Sequence, residues 1–219
     1  MSVSLVECYP ELDAVNGISA RFFGRITNLD VAMERSVAMQ ALGPIHKELL
    51  EKEGRCGKSL VTAEQIHGDE VAVVAQASPH PVPGADGLIT ITPGITLGIY
   101  VADCAPVWVV AKNGRAGALI HSGRKGTELG IVPKGIKALC TIGNLKPSDL
   151  ILLIGPCIRP PCYEVDFASE IRRQAAEAGI MHIHDALICT SCHPDRYYSY
   201  RRERGLTGRM LATLSLIPW

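Results

Sequence analysis

Aromatic residues are scarce in this 219-residue chain, at 5% of the total, and it has no charge imbalance: 22 basic residues stand against 22 acidic ones. A nucleic-acid-binding surface usually needs a basic excess, so no nucleic-acid partner is expected. Long apolar runs are also missing. Stretches such as Leu150 to Ile154 are far too short to cross a bilayer, and no membrane association is expected. Met1 to Asp13 lacks a basic segment followed by a continuous apolar one, so no export leader is read there and a cytoplasmic location is expected. No repeat, low-complexity tract or Pro/Gly/Ser linker divides the chain. Residues 1–219 therefore read as a single domain, expected to act as a monomer.

What is present is 47% hydrophobic and 20% charged residues, the usage of an ordinary globular chain able to bury a core. There are also eight cysteines. In a reducing compartment they should stay mostly free, so at least one is expected to have a chemical task while others are packed.

Residues 30–53 read as helix, with Val31, Val37, Ala41 and Leu42 on one side and a break at Pro44. Short β-type runs follow at 59–63, 71–75, 87–92, 95–101, 107–111 and 116–120, with Pro93-Gly94 and Asn113-Gly114 as turns, the second a good hairpin turn. Residues 127–143 are helical with a kink or restart at Pro133; 150–154 is a buried strand and 167–178 a helix stopped by Gly179. Strands at 186–189 and 197–200 and a last helix at 207–216, capped by Thr207, complete the pattern. Strands and helices mix without regular βαβ alternation, which predicts an α/β chain of the α+β kind with a mixed sheet.

Three segments put a metal-capable side chain where a strand gives way to a Gly or Pro turn: Gln65-Ile66-His67-Gly68, Ala102-Asp103-Cys104-Ala105-Pro106, and Ile120-His121-Ser122-Gly123-Arg124-Lys125-Gly126-Thr127. Strand ends are rigid and suit a preorganised site. Two imidazoles and one thiolate make a three-ligand set for zinc that leaves a fourth position to water or substrate. No local C-x-x-C or H-x-x-x-H pair ties them, so the alternative is two turn histidines and a buried cysteine. Ser122, Arg124 and Lys125, with the N–H groups of the helix that follows, offer a phosphate cradle; the alternative is a basic strand-to-helix turn. Arg201 is preferred over Arg202 as a further anion contact, because adjacent strand residues point to opposite faces.

Cys189-Thr190-Ser191-Cys192-His193 fits the C-x-x-C-H pattern of covalent haem attachment, but without an export signal. A second zinc site from Cys157, Cys162, Cys189 and Cys192 is the better use of these residues, with packed thiols as the default. His46, His80 and His193 read as surface residues, and His182 and His184 as the solvated side of a strand.

Together these segments resemble the laccase-domain family, the so-called multicopper polyphenol oxidases now regarded as purine nucleoside phosphorylases, or peptidoglycan editing factors. Further matching pieces are Ala85-Asp86-Gly87-Leu88-Ile89-Thr90, Ile154-Gly155-Pro156, Cys162-Tyr163-Glu164-Val165, and Tyr198-Ser199-Tyr200-Arg201-Arg202 with Thr207-Gly208-Arg209. The resemblance implies layered mixed sheets flanked by helices, with metal and catalytic ligands at His67, Cys104 and His121 and zinc as the cofactor. It also implies phosphate-dependent cleavage of adenosine, inosine or methylthioadenosine, with adenosine deamination at the same site. The older label implies copper and phenol oxidation, but a blue-copper oxidase also needs a trinuclear histidine cluster, which seven scattered histidines hardly supply. The family usually has His-Ala-Gly-Trp-Arg-Gly where this chain has His121-Ser122-Gly123-Arg124-Lys125-Gly126, so an aromatic is replaced by a cation. Two other readings remain: a cysteine hydrolase or deamidase with Cys104 as nucleophile and His121 as base, and a non-catalytic cell-wall editing factor.

Overall fold

The apolar runs sort into two mixed sheets in the computed structural model, which describes residues 4–54 and 59–218. The first sheet has the order β1 (Ser4–Glu7), β2 (Ile18–Ile26), β11 (Met210–Leu216), β6 (Thr96–Val101) and β3 (Leu60–Thr62). The second runs β10 (His182–Asp185), β9 (Leu150–Ile154), β7 (Ala105–Ala111), β8 (Gly117–Ser122), β5 (Gly87–Thr90) and β4 (Val71–Val73). Neighbours pair antiparallel except β3–β6, β10–β9 and β4–β5, so parallel pairing is confined to sheet edges.

Every residue of β7 and β8 is buried, because both faces of the second sheet are covered. Val107 and Val109 join the core that includes Ile136 of α4 (Ile131–Gly143) and Ile171 of α5 (Phe167–Glu177). Trp108 and Val110 turn the other way and meet Phe22, Leu97 and Leu214 of the first sheet. Trp108 Nε1 donates to the Thr213 carbonyl at 2.9 Å, a buried bond that pins one sheet to the other. The outer side of the first sheet is covered by α2 (Arg35–Lys52), where Phe23 and Leu211 pack with Leu50. Two short helices, α1 (Pro10–Asp13) and α3 (Arg124–Glu128), are the remaining α-helices among the described residues.

Several expectations hold. Asn113-Gly114 turns β7 into β8, with Gly114 at φ +71°. The restart near Pro133 is real: Gly130 at φ +76° separates α3 from α4, and Pro133 lies in the first turn of α4, where its missing N–H costs nothing.

Others need correction. The expected terminal helix at 207–216 is strand β11, central in its sheet; with both faces buried it shows no polar alternation, and period alone cannot tell such a run from a helix. Strand β2 was not expected, because Arg21 and Arg25 interrupt its apolar pattern; they are paired with Asp13 and Glu53, and with Glu203. Helix α2 starts at Arg35 and continues through Pro44. Its buried side is Ala38, Leu42, His46 and Leu50, at four-residue spacing, and that shared packing holds both halves in line, while Val37 is exposed. No strand forms at 186–189 or 197–200; β10 instead pairs His182 with Ile151 just before the first of these. No helix among the described residues is long and apolar enough to cross a membrane.

Candidate metal centre and its cleft

His121 lies on β8 opposite Pro106, Cys104 immediately precedes β7, and His67 sits in the loop between β3 and β4. Their ligand atoms lie within 4.8 Å of one another, and the two imidazoles meet edge to face at 4.9 Å. One ion of tetrahedral habit touches ligand atoms roughly 3–4 Å apart, so the set fits a single metal.

A fourth side chain organises the three. Asp86 is fully buried at the start of β5. Its Oδ1 accepts from the His67 amide at 2.9 Å and is 2.8 Å from His121 Nδ1; its Oδ2 accepts from the amides of Ile66 at 3.1 Å and Gly68 at 2.7 Å. His67 has φ +61°, a left-handed conformation that a side chain makes costly by about 1–2 kcal/mol. Charge-assisted bonds from three successive amides to one carboxylate offset that cost. Gln65, also left-handed, closes the other side of the loop through a two-way side-chain bond with the Tyr100 backbone, at 2.6 and 2.9 Å.

With Nδ1 of His121 directed at Asp86, Nε2 is left for the cluster, the arrangement metal-bound imidazoles use. Burial would raise the Asp86 pKa, yet His121 and the amides of Gly68 and His67 outweigh it and hold the carboxyl below its usual value. Burial likewise opposes ionisation of Cys104, but His121 and His67 draw its thiol down to about 6. His121, which burial alone would depress, is lifted to about 9 by Cys104 and Asp86. The thiolate a metal needs is thus favoured at neutral pH. Gly123 is required beside it, because a Cβ there would stand 2.5 Å from the Cys104 sulfur.

The cluster opens into a cleft of about 860 Å³. Arg35, Arg124, Arg201, Arg204 and Arg209 line it, with Tyr100, Tyr163, Phe167 and Tyr200 as aromatic walls. Arg124 pairs with Glu128 at 2.8 Å; Arg201 pairs with Glu164 at 2.7 Å and lies over the Tyr163 ring. Buried Asp103 ties this wall to the cluster, accepting from Thr190 Oγ1 and from the Arg201 amide, both at 2.7 Å.

Of the residues expected here, His67, Cys104, His121, Arg124 and Arg201 reach the cleft. Ser122 does not: its hydroxyl is buried against Thr127 Oγ1 at 2.8 Å. Lys125 lies outside, and α3 has only five residues, so the helix N–H contribution to a phosphate cradle is small. Arg202 turns away to the Ser191 carbonyl, because the chain there is a turn and not a strand. Sequence reasoning missed the role of Asp86, although Ala85-Asp86-Gly87 stands directly before an apolar strand. It also missed Arg35, Arg204 and Arg209. His46 is not a surface residue but is fully buried, with Phe23 and Tyr100 beside it.

The chain matches the multi-copper polyphenol oxidoreductase laccase family over residues 17–169 and 165–217, and it belongs to that family. Purine nucleoside phosphorylase YlmD of Geobacillus stearothermophilus is 34% identical over 192 residues, covering 69% of this chain and 70% of the relative. A purine nucleoside phosphorylase of Streptomyces coelicolor is 29% identical over 178 residues, covering 69% and 72%. The crystal structure of YlmD superimposes with a TM-score of 0.81 at 28% identity over 93% of each chain. Hypothetical protein YfiH of Bacillus licheniformis shares the fold, with a TM-score of 0.82 at 24% identity over 92% of this chain and 93% of its own. Among the described residues His67 and His121 are the two histidines that share a metal-capable group, with Cys104 as its third member.

Proposed function

We propose that this protein is a zinc-dependent, cytoplasmic, monomeric purine nucleoside phosphorylase that acts on adenosine, inosine and methylthioadenosine and also deaminates adenosine. The observation that carries this reading is the buried Asp86 carboxylate, which orients His121 toward Cys104 and His67 at the base of a cleft lined by arginines and aromatics. Zinc held by the three ligands would supply Lewis acidity and a water ionised near neutral pH.

The chain's own groups do the rest. Tyr200, half-exposed at the cleft, and Tyr163 beside it are the aromatics within reach of a purine, in place of the tryptophan that the family motif has where this chain has Arg124. Arg124 and Arg201 hold the phosphate beside the sugar, exchanging Glu128 and Glu164 for it. Both ion pairs are solvent-exposed and therefore weak, so the exchange is inexpensive. Asp86 keeps the proton on His121 Nδ1, which fixes the nitrogen facing the reaction.

The test is metal analysis followed by a nucleoside panel with and without phosphate. Zinc-dependent turnover of inosine with phosphate is expected, and absence of turnover on every nucleoside favours the non-catalytic editing reading. Arg124→Ala should raise the phosphate KM roughly 10-fold, the scale of a lost charged hydrogen bond, and leave adenosine deamination nearly intact. Equal loss in both reactions would make the loop a structural one.

A second reading is favoured by the same chain of contacts. Cys104, His121 and Asp86 are also ordered as nucleophile, base and orienting acid, the layout of a cysteine hydrolase. Slow alkylation of Cys104 in zinc-loaded protein and faster alkylation after chelation support the metal reading. Rapid alkylation with zinc bound, or full turnover without it, supports the thiol.

A further inference from the structure

A second group of metal-capable side chains lies apart from the first. Cys162, Cys189 and Cys192 bring their sulfurs within 4.8 Å of one another, with Cys162 and Cys192 at 3.4 Å. They come from two segments zipped together by backbone bonds: Cys157 N–H to the Ile188 carbonyl at 3.2 Å, and Thr190 N–H to the Cys157 carbonyl at 3.1 Å. Cys189 and Cys192 bracket a tight turn, Thr190–Cys192, closed by the Cys192 N–H donating to the Cys189 carbonyl at 3.2 Å, and the Cys189 thiol faces the Arg159 carbonyl at 3.9 Å. A C-x-x-C turn of this kind brings its two sulfurs toward one point, the spacing structural zinc sites use, and Cys162 joins them there. Cys157, which the spacing suggested as a fourth ligand, is buried in the helix-side core and stands outside the group.

We propose that Cys162, Cys189 and Cys192 hold a second soft divalent cation, zinc, as a structural staple separate from the His67–Cys104–His121 centre. Three sulfurs around one zinc at 2.3 Å stand roughly 3.8 Å apart, close to the spacing here, with the fourth corner left to water on the exposed Cys192 side. A disulfide would use two of the sulfurs and leave the convergence of the third unexplained. The staple joins the segment bearing Tyr163 to the turn that reaches Asp103 through Thr190 and Arg202 through Ser191. It therefore fastens one wall of the cleft from behind.

The proposal does not rest on the purine reading. Its test starts from wild-type protein stripped of metal under reducing conditions and titrated with zinc. About two equivalents per chain should bind, and alkylation mapped by mass spectrometry should show Cys162, Cys189 and Cys192 protected in step with one of them. His67→Ala should keep the three-thiol equivalent, and Cys189→Ser or Cys192→Ser should keep the other. Equal alkylation of the three thiols with and without zinc in the wild type would overturn the proposal, whatever the variants do. So would a Cys162–Cys192 disulfide in the zinc-loaded protein.

Discussion

Replacing Asp86 by Asn keeps the side-chain volume but removes the charge and one acceptor. Four donors now converge on two oxygens, His67 N–H and His121 Nδ1 on one, Ile66 and Gly68 N–H on the other. An Asn must turn its NH2 toward one of these pairs. On the first side, His121 has to offer its Nδ1 lone pair and carry its proton on Nε2, the nitrogen needed for the metal. On the second, two buried amides lose their acceptor and the left-handed turn at His67 loses its support. Zinc affinity should fall roughly 10–100-fold, the usual effect of losing the partner behind a histidine ligand. Stability of the metal-free protein should fall by about 3 kcal/mol, since each unsatisfied amide costs roughly 1–3 kcal/mol. Competition with a chromophoric chelator reads the first quantity and urea unfolding the second. A variant that binds zinc as tightly as the parent and unfolds at the same urea concentration would refute the role given to Asp86.

Gly123→Ala places a methyl 2.5 Å from the Cys104 sulfur, so zinc occupancy at that centre should drop while the far-ultraviolet circular dichroism is kept; full occupancy would show that the loop yields freely. His46 provides a pH test: burial lowers its pKa from 6.5 to about 4, and neither ring nitrogen has a partner among the described residues. The unfolded chain takes up a proton as pH falls through 6.5 while the fold resists until about 4, so stability from this group is complete above pH 6.5 and declines by up to about 3 kcal/mol toward pH 4. His46→Leu should flatten that decline and raise stability at pH 7.5 by roughly 1–3 kcal/mol; parallel urea curves for both proteins across the range would contradict it.

Local chemistry was readable from the chain. Asn113-Gly114 announces its hairpin, and Leu150 to Ile154 its strand, because each signal sits within a few residues. The clustering of His67, Cys104 and His121 was readable because Gly or Pro stands within two residues of each, and because the surrounding pieces resemble one family in order. Asp86 was not readable, since its importance lies in donors from residues 66–68 and 121 that only the fold brings together. The arginines at 35, 204 and 209 look like solvated charge until the turn after Ser199 and the start of α2 face one cleft. His46 was within reach: it sits on the four-residue stripe between Leu42 and Leu50, and weighing it as a lone histidine hid that position. Strand β11 failed for a physical reason, because a run buried on both faces carries no periodic contrast.

The placement of β11 between β2 and β6 has a consequence for how the chain is made. Until residues 210–216 have been synthesised, the first sheet is two separate half-sheets, β1–β2 and β6–β3, each with an apolar edge open to pairing with another chain. The second sheet draws all its strands from residues 71–185 and can pair earlier, but its Trp108 face stays uncovered for the same interval. A nascent chain of this architecture therefore spends its synthesis exposed to aggregation and closes late. A premature stop that removes only β11 would leave the cleft residues through Arg209 intact in sequence but without a sheet to hold them.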